Sequence, residues 1–144
     1  EHWRWVEEAL ISSDADYLVV GGHYPVHSPS GHGPSSCLLR RLKPLLEQAQ
    51  ASVYFSGHDH CLFHIEERHE KHSPQFHGVG AGVTASKSLR HLDTVPPNSL
   101  RFFYGGAARP LNIFSGGFAG VSVSASELTI VHFNAQGVKL HQAS

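Results

Sequence analysis

His58 and His60, two residues apart, follow the apolar run Ser52-Val53-Tyr54-Phe55, where a buried strand gives way to a loop. In extended backbone, residues two apart face the same side, so both imidazoles can point together while Asp59 faces away. Gly57 lets the chain turn there and leaves room for an ion or a ligand oxygen near the backbone. Such a pair can hold a metal ion, although spacing alone is weak support. With 13 histidines in 144 residues, roughly one H-x-H pair arises by chance. Placement says more. A second run, Tyr17-Leu18-Val19-Val20, reads as a buried parallel strand and ends in Gly21-Gly22-His23. Ligands of open α/β sheets bind beyond the carboxyl ends of the strands, so His23, His58 and His60 are expected to share one site.

The elements that must position these residues follow from periodicity. Trp3, Val6 and Leu10 make a stripe at helical spacing, predicting a helix over about 1–12 that covers one sheet face. After the strand at 17–20 comes a loop rich in Pro, Gly, Ser and His over 21–35, long enough to be functional. Ser35 or Ser36 can cap the next helix, whose Leu38, Leu39, Leu42, Leu45, Leu46 and Ala49 run to about Gln50. Pro44 inside it should kink or restart the helix. The unit closes at Phe55, and its two strands should be parallel with a right-handed crossover. Short candidate strands follow at 62–65, 76–79, 100–104, 119–123, 128–133 and 138–141; they suggest antiparallel or mixed pairing. Residues 86–98 read as irregular or a short helix, and 105–117 as a loop. The class is therefore α/β of the mixed α+β kind, a parallel βαβ unit followed by mostly antiparallel strands. Two parallel strands and their helices leave much apolar surface open, which predicts that a partner half is missing.

Composition excludes several classes. Eleven Lys and Arg are balanced by twelve Asp and Glu, a net charge of −1, with no run of one sign, so neither nucleic acid nor a membrane surface is expected as a partner. No stretch approaches the roughly 20 apolar residues of a membrane span. The first residues, Glu1-His2-Trp3-Arg4-Trp5, do not read as a signal peptide. Cys37 and Cys61 lack the spacing of a zinc or redox pair and leave the redox compartment open.

Gly21-Gly22-His23-Tyr24-Pro25-Val26, Gly31-His32-Gly33-Pro34, Gly57-His58-Asp59-His60 and Gly80-Ala81-Gly82, in this order and spacing, resemble the C-terminal half of a purple (tartrate-resistant) acid phosphatase, a calcineurin-like metallophosphoesterase. The likeness continues through 100–105 and Gly116-Gly117-Phe118-Ala119, so it covers nearly the whole chain as the C-terminal half of one domain. It implies half of a four-layer αββα sandwich and a binuclear centre of Fe(III) plus a divalent metal (Fe, Zn or Mn). By the same match His23 and His58 resemble ligands of the divalent metal, His60 a ligand of the ferric iron, and His32 the histidine that contacts phosphate and aids the leaving group. The other family ligands lie upstream and have no counterpart here. The resemblance thus implies phosphate monoester hydrolysis, the N-terminal half of the same domain as partner, and a secreted or lysosomal location. It also leads us to expect that the chain alone is inactive or nearly so. The alternative is a non-catalytic fragment that binds a divalent ion or pairs with another chain.

Plain competitors accompany these roles. The competing roles are plain loop histidines for His58 and His60, a polar residue closing a strand for His23, and a solvent-facing loop residue for His32. Gly31 stands where the family commonly has an acidic residue or another histidine, so His27 is a candidate to compensate. Asp59 is read first as a loop carboxylate accepting backbone hydrogen bonds, and second as a group orienting a ligating imidazole. Tyr24 and Pro25 are expected to shape the loop, and Gly80-Ala81-Gly82 to turn tightly near the site. His64, His69, His72 and His77 lie on a polar segment and are expected at the surface. In relatives the position of Cys37 can pair with an upstream cysteine; here it is expected to be a free thiol.

Overall fold

The computed structural model describes residues 1–68, 73–82, 84–108 and 114–144. Helix α1 (His2–Ile11) and helix α2 (Ser36–Gln48) form where the apolar stripes predict them. Leu10, Leu42 and Leu46 are buried among Trp3, Val6, Leu38 and Leu39, and each such side chain contributes about 1.5–3 kcal/mol by leaving water. Ser35 caps α2, its hydroxyl accepting from the Leu38 N–H. Ser35→Ala is expected to cost about 1 kcal/mol, to be read as a lower urea midpoint with an unchanged slope. Pro44 does not restart the helix; α2 runs through it as one element. The carbonyl that the proline leaves without an N–H belongs to Arg40, which is exposed, so water can replace the lost bond.

Among the described residues ten strands form: β1 (Val19–Gly22), β2 (Val53–Ser56), β3 (Leu62–Ile65), β4 (Gln75–Val79), β5 (Leu100–Tyr104), β6 (Ala107–Ala108), β7 (Phe114–Ser115), β8 (Gly117–Val123), β9 (Leu128–Asn134) and β10 (Lys139–Ala143); β6 and β7 pair with each other inside the stretch expected to be a loop, and the other eight follow the expected order. Five make a mixed sheet in the order β1-β2-β4-β3-β5. β1, β2 and β4 run parallel, and β3 pairs antiparallel with both β4 and β5. The predicted parallel β1-α2-β2 unit is present. A second, antiparallel sheet has the order β10-β9-β8. The first strand begins two residues later than its apolar run, because Tyr17 packs toward the second sheet while the glycines of Gly21 and Gly22 extend the ladder opposite Phe55 and Ser56.

Alternation decides what each face of the mixed sheet meets. Tyr54, Phe63, Ile65 and Phe76 pack with the helices. The opposite face turns to the second sheet, where Val53 and Phe55 meet Ile130, Leu128 and Ala119. Three layers therefore stand in order, helices, mixed sheet and antiparallel sheet. The expectation for His64 and His77 is overturned here. They are directly paired across β3 and β4 on the face between the sheets, 3% and 0% exposed. Their polar sequence surroundings misled, because burial is set by the second sheet, whose strands β8 to β10 lie far downstream in the chain. His69 and His72 lie outside the described residues.

Candidate functional site

His23 leaves β1, and His58 and His60 leave β2, so the parallel pairing of these strands brings their ends together. The Gly57 N–H donates to the His23 carbonyl at 3.1 Å, tying the two loops. Tyr54 holds the first loop from below, its hydroxyl donating to the Tyr24 carbonyl at 2.8 Å. A Cβ at Gly22 would stand 2.2 Å from that hydroxyl, so glycine is what lets Tyr54 reach. Burial pushes the Tyr54 phenol up to about 12, and it remains a donor throughout the physiological range.

The geometry by which His58 and His60 meet the site differs from the alternation expected of a strand. The ladder ends at Ser56, and His58 has φ 57°, so it is this histidine and not Gly57 that takes the left-handed turn. A non-glycine residue there costs on the order of 1–3 kcal/mol, and such strain clusters at functional positions. The turn places the His58 ring beside His23, with Nδ1 and Nε2 3.3 Å apart. The Tyr24 ring lies against it at 4.5 Å between centroids and that of His32 at 4.4 Å. Partial burial, then the neighbouring His32, holds the His58 imidazole below the ordinary histidine range, which favours the neutral form that ligates metals.

His60 stands on the far side of His32, ring centroids 6.3 Å apart. Its Nδ1 is 2.5 Å from the Thr84 hydroxyl, which leaves Nε2 free to serve as a ligand, as an outer partner does for a metal-binding histidine. The four histidines thus line one open surface. Among the described residues no group of three or more His, Cys, Asp or Glu side chains converges as a complete metal site. His23 and His58 supply two neighbouring donors and His60 a third further off; this donor set fits part of a metal centre and lacks the anionic oxygens that a ferric ion requires.

Asp59 is the residue whose importance the sequence understated. Its carboxylate is 1% exposed. One oxygen accepts the Ser28 hydroxyl, and the other accepts the His32 backbone N–H at 3.1 Å and meets His32 Nδ1 at 2.9 Å. It therefore orients a histidine as expected of its second role, but the histidine is His32 and not a neighbouring ligand. With Nδ1–H held by the carboxylate, Nε2 of the half-exposed His32 ring is the atom left for a ligand. Ser28 gave no signal beyond its place in a long polar loop. Gly80 backs the same turn, for a Cβ there would come 2.1 Å from the Asp59 carbonyl, in keeping with the tight turn expected at 80–82.

His27 does not compensate at this site. It is buried, its ring packs on Phe76 among residues of the helix-side core, and Nε2 lies 2.9 Å from Glu67 Oε1. Cys37 is an exposed free thiol and Cys61 a buried one.

Known proteins match this arrangement along nearly the whole chain. It is 36% identical over 140 residues to tartrate-resistant acid phosphatase type 5 of Mus musculus, covering 97% of this chain and 40% of that protein. It is 37% identical over 136 residues to the protein of the same name from Homo sapiens, covering 94% and 39%. Purple acid phosphatase 4 of Arabidopsis thaliana is 35% identical over 138 residues, with 95% and 37% covered. No family model matches the chain. Among solved structures, one described as GAP50, the anchor in the inner membrane complex of Plasmodium, superposes with a TM-score of 0.78 at 22% identity, covering 98% of this chain and 40% of that one. The purple acid phosphatase PPD1 from yellow lupin seeds gives 0.74 at 15% identity, covering 99% and 27%. The architecture, two packed sheets with helices on one face, is the fold shared with these two solved structures. The chain is a homologue of the tartrate-resistant, or purple, acid phosphatases and corresponds to a C-terminal half of one. It spans about 40% of the length of the mammalian relatives it matches.

Proposed function

We propose that this chain is the C-terminal half of a metal-dependent acid phosphatase acting on phosphate monoesters. The observation that carries this reading is the meeting of His23, His58, His60 and an Asp59-oriented His32 at the joined ends of β1 and β2, in a chain homologous to acid phosphatases. His23 and His58 would hold a divalent metal (Fe, Zn or Mn) and His60 a ferric iron. Two bound cations neutralise a phosphate dianion, acidify a water and stabilise the departing oxygen. His32 would contribute without the metals: the Asp59 carboxylate holds its Nδ1, and Nε2 would contact phosphate and pass a proton to the leaving alkoxide. A secreted or lysosomal location belongs to the same reading.

The open surfaces fit a partner half. β1 is an edge strand of the mixed sheet, and unpaired backbone there is a template for further strands. Beside it, Trp3, Trp5, Val6, Val19 and Leu38 line an apolar groove of about 490 Å³. The test is to co-express the chain with the N-terminal half of a mammalian relative and supply iron and zinc. Hydrolysis of para-nitrophenyl phosphate is expected only from the combination, and His58→Ala with His60→Ala should lower it at least about a thousandfold, on the order of 4 kcal/mol of barrier. Ordinary turnover by the clean chain alone, or turnover by the pair that ignores the double variant, would refute the proposal.

The second reading, an interaction module, draws on a specific feature: Phe118, Val121 and Val123 of β8 are each about half exposed. The metallophosphoesterase fold does not by itself imply catalysis. A chain that sediments as a monodisperse monomer and yields activity with the supplied half excludes this reading.

A further inference from the structure

Away from the candidate metal centre, four histidines fill the space between the two sheets. His64 of β3 and His77 of β4 stack nearly parallel, ring centroids 4.3 Å apart and planes 9° apart. His132 of β9 continues the stack 5.1 Å from His77 at 20°. His141 of β10 closes it, with Nε2 3.0 Å from His64 Nδ1 and its ring flat on Phe102 of β5 at 4.8 Å. His64, His77 and His132 are buried to within 3%. His77 Nε2 has Gln75 Oε1 as its partner at 3.1 Å. Among the described residues, His64 Nε2, His77 Nδ1 and both nitrogens of His132 have no hydrogen-bond partner. Buried polar atoms so left are rare enough to call for a role. Metal binding is not that role, because stacked rings aim their lone pairs sideways instead of at a common point, and no metal-holding group forms among the described residues.

We infer that this histidine stack is a proton-operated latch between the two sheets, closed while the rings are neutral and released when they take up protons. Neutral imidazoles pack as aromatic rings and bridge the sheets at two strands of one side, β3 and β4, and two of the other, β9 and β10. Protons enter at His141, the part-exposed member, through a cleft lined also by Glu66, Arg68, Arg101 and Gln142. The first proton can be shared between His141 and His64 across their hydrogen bond. A second has nowhere to go without placing like charges a ring's thickness apart in a space closed to water, which is costly. The charged groups facing the stack offer little relief. Glu66 is the carboxylate near His64, and it is engaged by Arg68 at 2.7 Å and Arg101 at 3.2 Å. Lys139 on β10 turns to Gln142. Among the described residues, His132 and His77 meet other histidines, Gln75 and the rings of Phe55 and Phe102. Burial holds His64 and His132 at about 4 and His77 at about 2, consistent with a stack that resists charge until the sheets part. β1 and β2, held from their other face by α1 and α2, have no such group.

Hydrogen exchange of the 144-residue chain, resolved by peptide and corrected for intrinsic rate, tests this as pH is stepped from about 7.5 to about 4.5. Peptides covering β9 and β10 are expected to lose at least about tenfold protection at a higher pH than those covering β1 and β2. His132→Phe should move that release to lower pH by about half a unit or more. His141→Gln, at the part-exposed end where folding tolerates change, should do the same while keeping a partner for His64. The inference is overturned if β9 and β10 open together with β1 and β2 in the wild type. It is equally overturned if His141→Gln, folded at neutral pH, releases at the wild-type pH.

Discussion

Asp59→Ala is expected to lower the stability of the chain by roughly 3 kcal/mol, since hydrogen bonds to a charged group contribute about 1.5–3 kcal/mol and their partners lose a buried acceptor. The carboxylate takes the Ser28 hydroxyl, the His32 N–H and His32 Nδ1, so one truncation strips the loop from 28 to 32 of its link to the 57–61 turn. Measured by urea unfolding at neutral pH, the loss should appear as a lower midpoint with little change in slope. Asp59→Asn should cost less, about 1–2 kcal/mol, because its amide oxygen can still accept from His32 while its NH₂ can donate to Ser28. Under the proposed function, the alanine variant complemented with an N-terminal half should also lose turnover, as the His32 ring is released from its fixed orientation and removal of a general acid typically costs a hundredfold or more. A stability change under about 1 kcal/mol for Asp59→Ala would mean that the carboxylate does not bind this loop.

Global stability should fall steeply as the solution is acidified below pH 6.5. An imidazole in the unfolded chain takes its proton near 6.5, whereas burial keeps His64 and His132 neutral down to about 4 and His77 to about 2. Above 6.5 neither state binds these protons, and their contribution to stability is complete. Between 6.5 and about 4 the unfolded state binds more protons, so stability drops with falling pH by up to about 1.4 kcal/mol per unit for each imidazole. Three together approach about 4 kcal/mol per unit at the steepest, against a total of about 5–15 kcal/mol for a domain. Below about 4 the slope eases as His64 and His132 charge in the folded state too. Urea midpoints compared at pH 7.5, 6.5 and 5.5 check this, and equal midpoints at all three would show that the rings are not held neutral. The expectation concerns the whole fold; which sheet lets go first is the separate matter of the latch.

Much of the arrangement was written in local pattern. The stripe of Trp3, Val6 and Leu10 and the leucines of 38–46 specified two helices, and the short apolar runs specified eight strands to within about two residues, while the short β6 and β7 formed in a stretch read as a loop. The order of glycines and histidines at 21–23, 31–34, 57–60 and 80–82 carried the resemblance that the mammalian and plant relatives bear out. What local pattern misjudged were residues whose surroundings come from far along the chain. His64 and His77 alternate correctly for strands, yet alternation says only which residues share a face. What covers that face is β9 and β10, and their arrival could not be read from residues 62–79. His27 was a candidate to compensate for Gly31 at the phosphate site, and the fold turned it inward to Phe76 and Glu67.

The sequence by itself determined the secondary elements, the histidines at two strand ends and the family to which those signatures point, because each depends on residues within a turn or a strand of one another. Only the tertiary structure decided that His58 reaches His23 through a left-handed turn, that Asp59 serves His32, and that four histidines meet between the sheets. Those outcomes depend on strand order and sheet packing, which join residues separated by 27 to 77 positions, and no periodicity within a segment encodes which distant segment will lie against it.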